Sequence, residues 1–600
     1  MSDNPQNTKP QISWRKTFDL VKDYFLNSDE KLVAWLLLIG AVLCVIGIVA
    51  LMAVLSWWSA GFWAVLTAKA LIPFLMSIGE FALILSALVG VFVLKDYLIG
   101  KLSIFWRNWL THKILNELFN SANNYLDLKR FSAEIDNIAQ RIQEDVKFIV
   151  DLTLSLGTDF LKAVLSLGTF VGTLWVVGGS LSFVLLGLNF IIPGYLVWVA
   201  LIVAIVATVA THYIGNSLAE TNKKAEGAEA DFRQALTELN DDAENIAQEH
   251  AEDYYKTSVT NKVQDINRTA HQKLNTKTKL VAFQNFYSQL AQILPTLLSA
   301  PLYFAGLIEL GQIMQIGMSF GQVSVSLSWF VDTYESLSSY KSSIERITEL
   351  RKTFEKEGIV LANAKSIVRK ERNKDSINIK HLNITEPQVS STAHIMRNLN
   401  LKLKPGEHIL IQGPSGLGKS TLFKAISGTW KYGDGKISIP SGKNLYFLPQ
   451  KPTLPHNTLM AVLAYPEPVS TYTEEQCIAA LRAVGGMNEF IPKLHEKRRW
   501  SKELSDGQQQ RISFARALLK KPAWLFLDEA TSSLDEESEE HVYRVVKELK
   551  DTTIVSIAHR KTVEKHHSRI VLFSVNAEKE IDVKEQHSPE LQFRANGQAQ

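Results

Sequence analysis

Apolar residues are bunched into long runs before residue 340 and scattered in short ones after residue 374. A helix needs about 20 apolar residues to cross a bilayer core. Six runs come to about that length, at residues 32–58, 71–94, 154–177, 183–211, 286–307 and 313–331. The connections after the second and fourth runs are long, rich in Ala, Glu, Lys, Gln and Leu, and poor in Gly and Pro. That composition predicts helices that continue past the membrane. Beyond residue 374 the chain reads as an α/β domain. A length of 600 residues also exceeds what one hydrophobic core supports. The expected division is a membrane α-helical domain at 1–350, a charged linker at 351–376, an α/β domain at 377–575 and a polar tail at 576–600.

Charge then orients the spans. Lys and Arg gather in the two long connections, from Lys95 to Lys147 and from Lys223 to Lys279, while Lys69 is the one clear cation of the short connections. The positive-inside rule places both termini and both long connections in the cytoplasm. A net charge of +3 gives no reason to expect nucleic acid as a partner. The only cysteines, Cys44 and Cys477, cannot build a disulfide framework. The first apolar run is too long for a signal-peptide core and reads as a true span. Lys365, Arg369, Lys370, Arg372 and Lys374 make the linker a solvated tether beside lipid headgroups.

The chemistry is concentrated in the α/β half. Gly413, Pro414, Ser415, Gly416, Leu417, Gly418, Lys419 and Ser420 match G-x-x-x-x-G-K-[ST], set between an apolar strand at 408–411 and a helical stretch opening at Thr421. Glycines let backbone N–H groups close round phosphate oxygens at a helix N-terminus. Lys419 is expected to reach the β- and γ-phosphates of ATP and Ser420 to bind Mg²⁺, with Thr421 beside them. Residues 523–527 form a strand that ends in Asp528 and Glu529. Asp528 is expected to hold Mg²⁺ through water, and Glu529 to polarise the attacking water as general base.

Leu504, Ser505, Asp506, Gly507 and Gln508 closely resemble the LSGGQ signature of ABC transporters, with Asp506 in place of a glycine. Other family landmarks follow in order. Gln450 resembles the Q-loop glutamine, Ser532 to Asp535 the D-loop, and His559 the switch histidine. The resemblance implies an exporter-type ABC fold with six transmembrane helices, joined to an α/β P-loop ATPase and working as a homodimer. It implies that Ser505, Gly507 and Gln508 close over the γ-phosphate bound by the opposite subunit. It also makes Gln450 a metal and nucleotide contact, and His559 catalytic beside Glu529 and Lys419. The upstream aromatic that often stacks on adenine is missing, since residues 377–397 hold no Phe, Tyr or Trp; His394 is the available substitute.

The resemblance narrows through Trp106-Arg107-Asn108-Trp109, Ile135-Asp136-Asn137, Gln140-Arg141-Ile142-Gln143, Ala230-Asp231-Phe232-Arg233 and Ala300-Pro301-Leu302-Tyr303. These are similar to the SbmA/BacA-related transporters that carry a fused ATPase, which are related to the subfamily D acyl-CoA transporters. Gln248-Glu249-His250-Ala251-Glu252 departs from the family's loop sequence. The resemblance implies that some such relatives import bulky hydrophilic compounds, among them cobalamin, bleomycin and antimicrobial peptides. The expectation is an ATP-hydrolysing half-transporter of a bacterial inner membrane with a cargo of that kind; fatty acyl-CoA or lipid is the alternative. Ser77, Glu80, Ser86, Ser155, Thr158 and Thr169 suit a hydrated cavity where they face inward. Glu80 could equally serve an interhelical hydrogen bond.

Overall fold

The computed structural model describes residues 14–119, 138–185, 188–363, 366–386, 394–576 and 580–587. Ile135, Asp136, Asn137, Lys365 and the polar tail beyond His587 lie outside them. The chain divides into two compact units, one of residues 1–117 and 135–352, the other of residues 118–134 and 353–600.

The first unit is helical. It runs through α1 (Trp14–Asn27), α2 (Lys31–Thr67), α3 (Leu71–Phe119) and a π-helical turn (Arg141–Asp145) leading into α4 (Val146–Val177). After a β-hairpin come α5 (Tyr195–Asp241), the short α6 (Ala243–Glu249), α7 (Glu252–Phe304), α8 (Leu310–Asp332) and α9 (Tyr334–Asn363). Lys31–Thr67, Leu71–Phe119 and Ile138–Val177 are long and apolar enough to cross a membrane, and Tyr195–Thr211 is a shorter apolar stretch. Helices therefore do continue well past the apolar runs, as the composition of the long connections implies.

The fourth run differs from the expected span starting at residue 183. Ser180–Leu185 (β1) and Leu188–Pro193 (β2) pair as an antiparallel hairpin, and helix resumes only at Tyr195. A continuous apolar run gives no period to separate strand from helix, and here Pro193-Gly194 breaks it. Gly194 has a left-handed backbone, φ +60°, and a Cβ there would stand 2.3 Å from the Trp175 ring. Only glycine fits. Below the hairpin, Phe170, Leu174, Leu196, Leu302, Ile316 and Phe320 bring α4, α5, α7 and α8 into one apolar cluster.

Charged pairs tie the other end of this unit. Asp145, 5 % exposed, accepts from Arg346 Nε at 2.7 Å and from Ser343 Oγ at 3.0 Å. Arg141, 6 % exposed, donates to Glu349 at 3.1 Å, and Arg351 makes a two-pronged bond to Glu117. Burying such charges requires partners of this quality.

The second unit holds two sheets. Val368–Arg372 (β3), Ile377–Thr385 (β4), His394–Leu403 (β5) and Gly433–Pro440 (β7) form a four-stranded sheet in the order β3-β7-β4-β5. All five residues of β3 are exposed, so part of the charged linker is an edge strand that remains solvated. Ile409–Gln412 (β6), Leu445–Leu448 (β8), Trp524–Asp528 (β11), Thr553–Ile557 (β12), Arg569–Val575 (β13) and Ile581–His587 (β14) form the main sheet, in the order β14-β13-β6-β12-β11-β8. It is parallel except for β14. The two-residue strands Asn457–Thr458 (β9) and Lys497–Arg498 (β10) pair separately. Helices α10 (Lys419–Ser427), α11 (Leu459–Ala464), α12 (Glu474–Val484), α13 (Asp506–Lys520) and α14 (Glu536–Lys547) complete the unit. Side chains of β6 and β11 alternate between two apolar clusters: Leu410, Leu525 and Leu527 point into one, Ile409, Ile411 and Phe526 into the other.

One core contact sets a pH limit. The Tyr543 hydroxyl donates to Ser556 Oγ at 3.2 Å, and Ser556 Oγ lies 2.8 Å from His567 Nε2. His567 Nδ1 lies 2.9 Å from the Val563 carbonyl, an acceptor only, so the neutral ring donates there and accepts from Ser556. Burial pushes the His567 pKa down from 6.5 to about 3, with the nearby His408, His566 and Lys547 acting in the same direction. The unfolded chain binds this proton more readily than the folded one. The stabilisation is therefore complete above about pH 6.5 and is lost as pH falls toward 3. The melting temperature of the second unit, followed by tryptophan fluorescence, should decline from pH 6.5 to pH 4. A His567→Gln variant should melt lower at neutral pH and show a shallower decline.

Candidate functional site

Parallel strands deliver their C-terminal ends to a single sheet edge, where ligands bind in open α/β folds. Ile411 pairs with Ile557, Ile557 with Asp528, and Leu527 with Leu448. The edge therefore gathers Gly413 after β6, Gln450 after β8, Asp528 and Glu529 at the end of β11, and His559 after β12.

The loop from Gly413 to Gly418 enters α10. Pro414, Ser415 and Gly416 are exposed, Leu417 is half-buried against the core, and Thr421 is half-buried in the first turn of the helix. Gly418 takes φ +76°, and a Cβ on it would meet Ile395 at 2.5 Å, so this turn too demands glycine. Lys419 is buried and donates to the carbonyls of Gly413 at 2.9 Å and Pro414 at 2.8 Å. Burial pulls its pKa down, opposed by the charges of Glu529 and Asp528.

Ser420 Oγ donates to Asp528 Oδ1 at 2.8 Å. Burial pushes the Asp528 carboxyl above its ordinary pKa and the Glu529 charge adds to this, while the Ser420 bond works against it. Two hard oxygen donors so placed fit Mg²⁺, which takes one or two protein oxygens together with substrate phosphates. Among the described residues no cluster of three or more His, Cys, Asp or Glu is arranged to hold a metal by itself. Gln450 is exposed two residues beyond β8, on the same edge.

Glu529 has a left-handed backbone, φ +48°, held by its amide bond to the Ile557 carbonyl at 3.0 Å. A non-glycine residue there costs about 1–2 kcal/mol, and such strain gathers at functional positions. Its Oε1 lies 3.3 Å from His559 Nε2, so the carboxylate and the imidazole face each other.

The signature residues are engaged elsewhere. Ser505 caps α13, accepting from Gln508 N at 3.3 Å, and Gln508 Oε1 returns a bond to Ser505 N at 2.9 Å. Gln508 Nε2 donates to Glu489 at 3.1 Å, Asp506 stands exposed in the first turn, and Gly507 packs beneath the Ser533 carbonyl. His394, at the start of β5, is exposed and pairs with Thr385.

Two neighbours escape a reading of motifs. Glu539, 2 % exposed, accepts from Thr531 at 2.6 Å and from Thr562 at 2.8 Å, joining the segment after Glu529 to the segment after His559. Its place beside Val542, Tyr543 and Val546 on the buried stripe of α14 was the available signal, hidden in an acidic run. Gln510 likewise lies on the buried face of α13.

The polar residues of the spans divide. Thr158 is buried and donates to its own helix at Leu154 O, 2.9 Å, so it serves packing rather than a cavity. Ser77 is buried as well, while Glu80, Ser86 and Thr169 are exposed on their helices and Ser155 is half-buried.

The chain is similar to known proteins over most of its length. Residues 20–304 match the family described as ABC transporter transmembrane region 2, and residues 396–532 the family described as ABC transporter. The inner membrane ABC transporter ATP-binding protein YddA of Escherichia coli is 31% identical over 552 residues, 91% of this chain and 94% of that one. The human lysosomal cobalamin transporter ABCD4 is 25% identical, over 78% of this chain and 80% of that one. A bacterial Atm1-family ABC exporter, solved with ATP bound, superposes with a TM-score of 0.71 at 18% identity, covering 95% of this chain and 97% of that one. With the P-loop, the strand-end carboxylates and the helical membrane unit on one polypeptide, the chain belongs to the ABC transporters, as a fused half-transporter of the subfamily D type whose hydrolysis of ATP is coupled to transport.

Proposed function

We propose that two copies of this chain form a pump in a bacterial inner membrane, with both termini and the ATPase domains in the cytoplasm, and move a bulky hydrophilic cargo such as cobalamin or a peptide-like compound. The observation that carries the homodimer is the position of the signature. Ser505 and Gln508 bond each other and Gln508 also bonds Glu489, whereas Lys419, Ser420, Asp528, Glu529 and His559 share the sheet edge. One chain has one set of each, so a two-fold pair supplies each P-loop with the other copy's Ser505, Gly507 and Gln508.

Within each site the loop amides from Gly413 to Gly418 and Lys419 hold the phosphates of ATP. Ser420 and Asp528, with Gln450 on the same sheet edge, are the residues that would hold Mg²⁺, which would supply charge neutralisation at the phosphates. Glu529 orients and polarises the attacking water, and His559, 3.3 Å away, fixes its carboxylate and faces the γ-phosphate.

The cargo rests on the likeness to the human cobalamin transporter and on the SbmA/BacA-type motifs in the membrane half. Fatty acyl-CoA or lipid is the second reading, favoured by the kinship with subfamily D.

Glu529→Gln should bind ATP and hydrolyse it about a hundredfold or more slowly, because an amide cannot polarise water as a carboxylate does. Lys419→Ala should instead weaken nucleotide binding about tenfold or more, read by titration with a fluorescent ATP analogue. Turnover at the wild-type rate in Glu529→Gln would remove it as the base. Native mass measurement in detergent should give twice the chain mass for the ATPase-active species; an active monomer contradicts the pairing. Vesicles holding the protein should take up cobalamin or a proline-rich peptide on adding ATP. Transport of a long-chain acyl-CoA alone would replace the cargo assignment and leave the motor untouched.

A further inference from the structure

Gln510 is 2 % exposed on the inner face of α13, and its carboxamide reaches two loops at once. Nε2 donates to the Gln450 carbonyl at 3.3 Å and to Ser532 Oγ at 3.1 Å, while Oε1 accepts from the Ser533 amide at 3.0 Å. Arg560, next to His559, grips the second loop from its other side. Its Nη1 donates to Leu534 O at 2.7 Å and its Nη2 to Ser532 O at 3.2 Å. The guanidinium also stands 3.8 Å from the buried Glu539 carboxylate. The loop is joined to Glu529 as well, since Ser532 N donates to Glu529 O at 3.1 Å. Residues 532–534 are thus where the segments bearing Gln450, Glu529 and His559 meet.

We infer that Gln510 and Arg560 are positioning residues for ATP hydrolysis, holding loop 532–534 in register with Gln450, Glu529 and His559. A buried amide bonded only for the sake of packing is the plainer role. The partners argue against it: Gln450, Ser532 and Ser533 are all exposed, so Gln510 spends its three bonds on two surface loops and none on the core around it. Arg560 likewise directs both of its bonds to loop carbonyls. The two roles part in kinetics. A packing role lowers stability while each folded molecule turns over normally. A positioning role lowers kcat in protein that is fully folded and binds ATP as before.

The test uses the full chain in detergent and compares Gln510→Leu, Gln510→Glu, Arg560→Ala and Ser532→Ala with the wild type. Four quantities are read: kcat, KM for ATP, affinity for a fluorescent ATP analogue and melting temperature. Gln510→Leu and Arg560→Ala should each lose about tenfold or more in kcat, with KM and analogue affinity held within about twofold. Gln510→Glu keeps the acceptor for Ser533 N and loses both donors, so its kcat should fall between wild type and Gln510→Leu. The Gln510→Leu/Arg560→Ala double variant should lose less than the product of the single losses, because both act on one loop. Should Gln510→Leu not fold, Ser532→Ala at its exposed position carries the test, with about a threefold or larger loss in kcat at an unchanged melting temperature. A kcat within about twofold of wild type in the folded variants, or a kcat loss matched by an equal loss of nucleotide affinity, overturns the inference, as does a fully multiplicative double variant.

Discussion

The parallel hydrogen-bond ladder of the main sheet is the constraint from which the catalytic edge follows. Adjacent strands lie about 4.8 Å apart, so the register of β6, β12, β11 and β8 alone brings together loops separated by more than a hundred residues in the chain. Ser420 reaches Asp528, and Glu529 reaches His559, because the strands ahead of them end level. The ladder is stable because both sheet faces are covered. Leu410, Leu525 and Leu527 fill one core while Ile409, Ile411 and Phe526 fill the other. This double burial is also why the strands read as unbroken apolar runs rather than alternating ones.

That property made the ATPase half legible. Phosphate chemistry fixes both the residue types and their spacing at Gly413–Ser420, and an apolar strand ending in Asp528 and Glu529 has few other uses. Gln510 and Glu539 were not legible, because each makes a contact to a residue more than twenty positions away. Gln510 meets Gln450 and Ser532, and Glu539 meets Thr531 and Thr562. Their one local sign, a polar side chain on a buried helical stripe, is masked by equally polar neighbours. In the membrane half the run after residue 180 conceals its hairpin for a different reason. Strand and helix make the same demand for apolar residues there, and what divides them is Pro193-Gly194 against the Trp175 ring, a contact made in three dimensions. Thr158 teaches a similar lesson: a hydroxyl in a span that bonds its own helix looks the same in sequence as one that faces water.

The two units solve the problem of buried polarity in different ways. The ATPase half buries a chain of neutral donors and acceptors, Tyr543, Ser556 and His567, and satisfies its buried Glu539 carboxylate with the neutral hydroxyls of Thr531 and Thr562. The helical half buries full charges at Asp145 and Arg141 and matches them with Arg346 and Glu349 on α9. Those pairs bind a π-helical turn to residues of a helix just over two hundred positions later, which makes the approach of α9 to α4 specific in direction and not merely adhesive.

The length of α7 has a mechanical meaning. Pro295 and Pro301 lie inside it, and neither can donate a bond to the preceding turn, so stiffness is lowest near the end that carries the apolar run. From Glu252 to the first proline the helix is an uninterrupted rod of roughly 65 Å, braced against α5 through Lys262 and Asp231. A bend of about 5° at the prolines displaces the far tip, where α6 sits, by about 6 Å. The geometry is that of a lever with its fulcrum at the prolines, in which an angular change too small to disturb helix packing becomes a displacement the size of an amino-acid side chain at the opposite end.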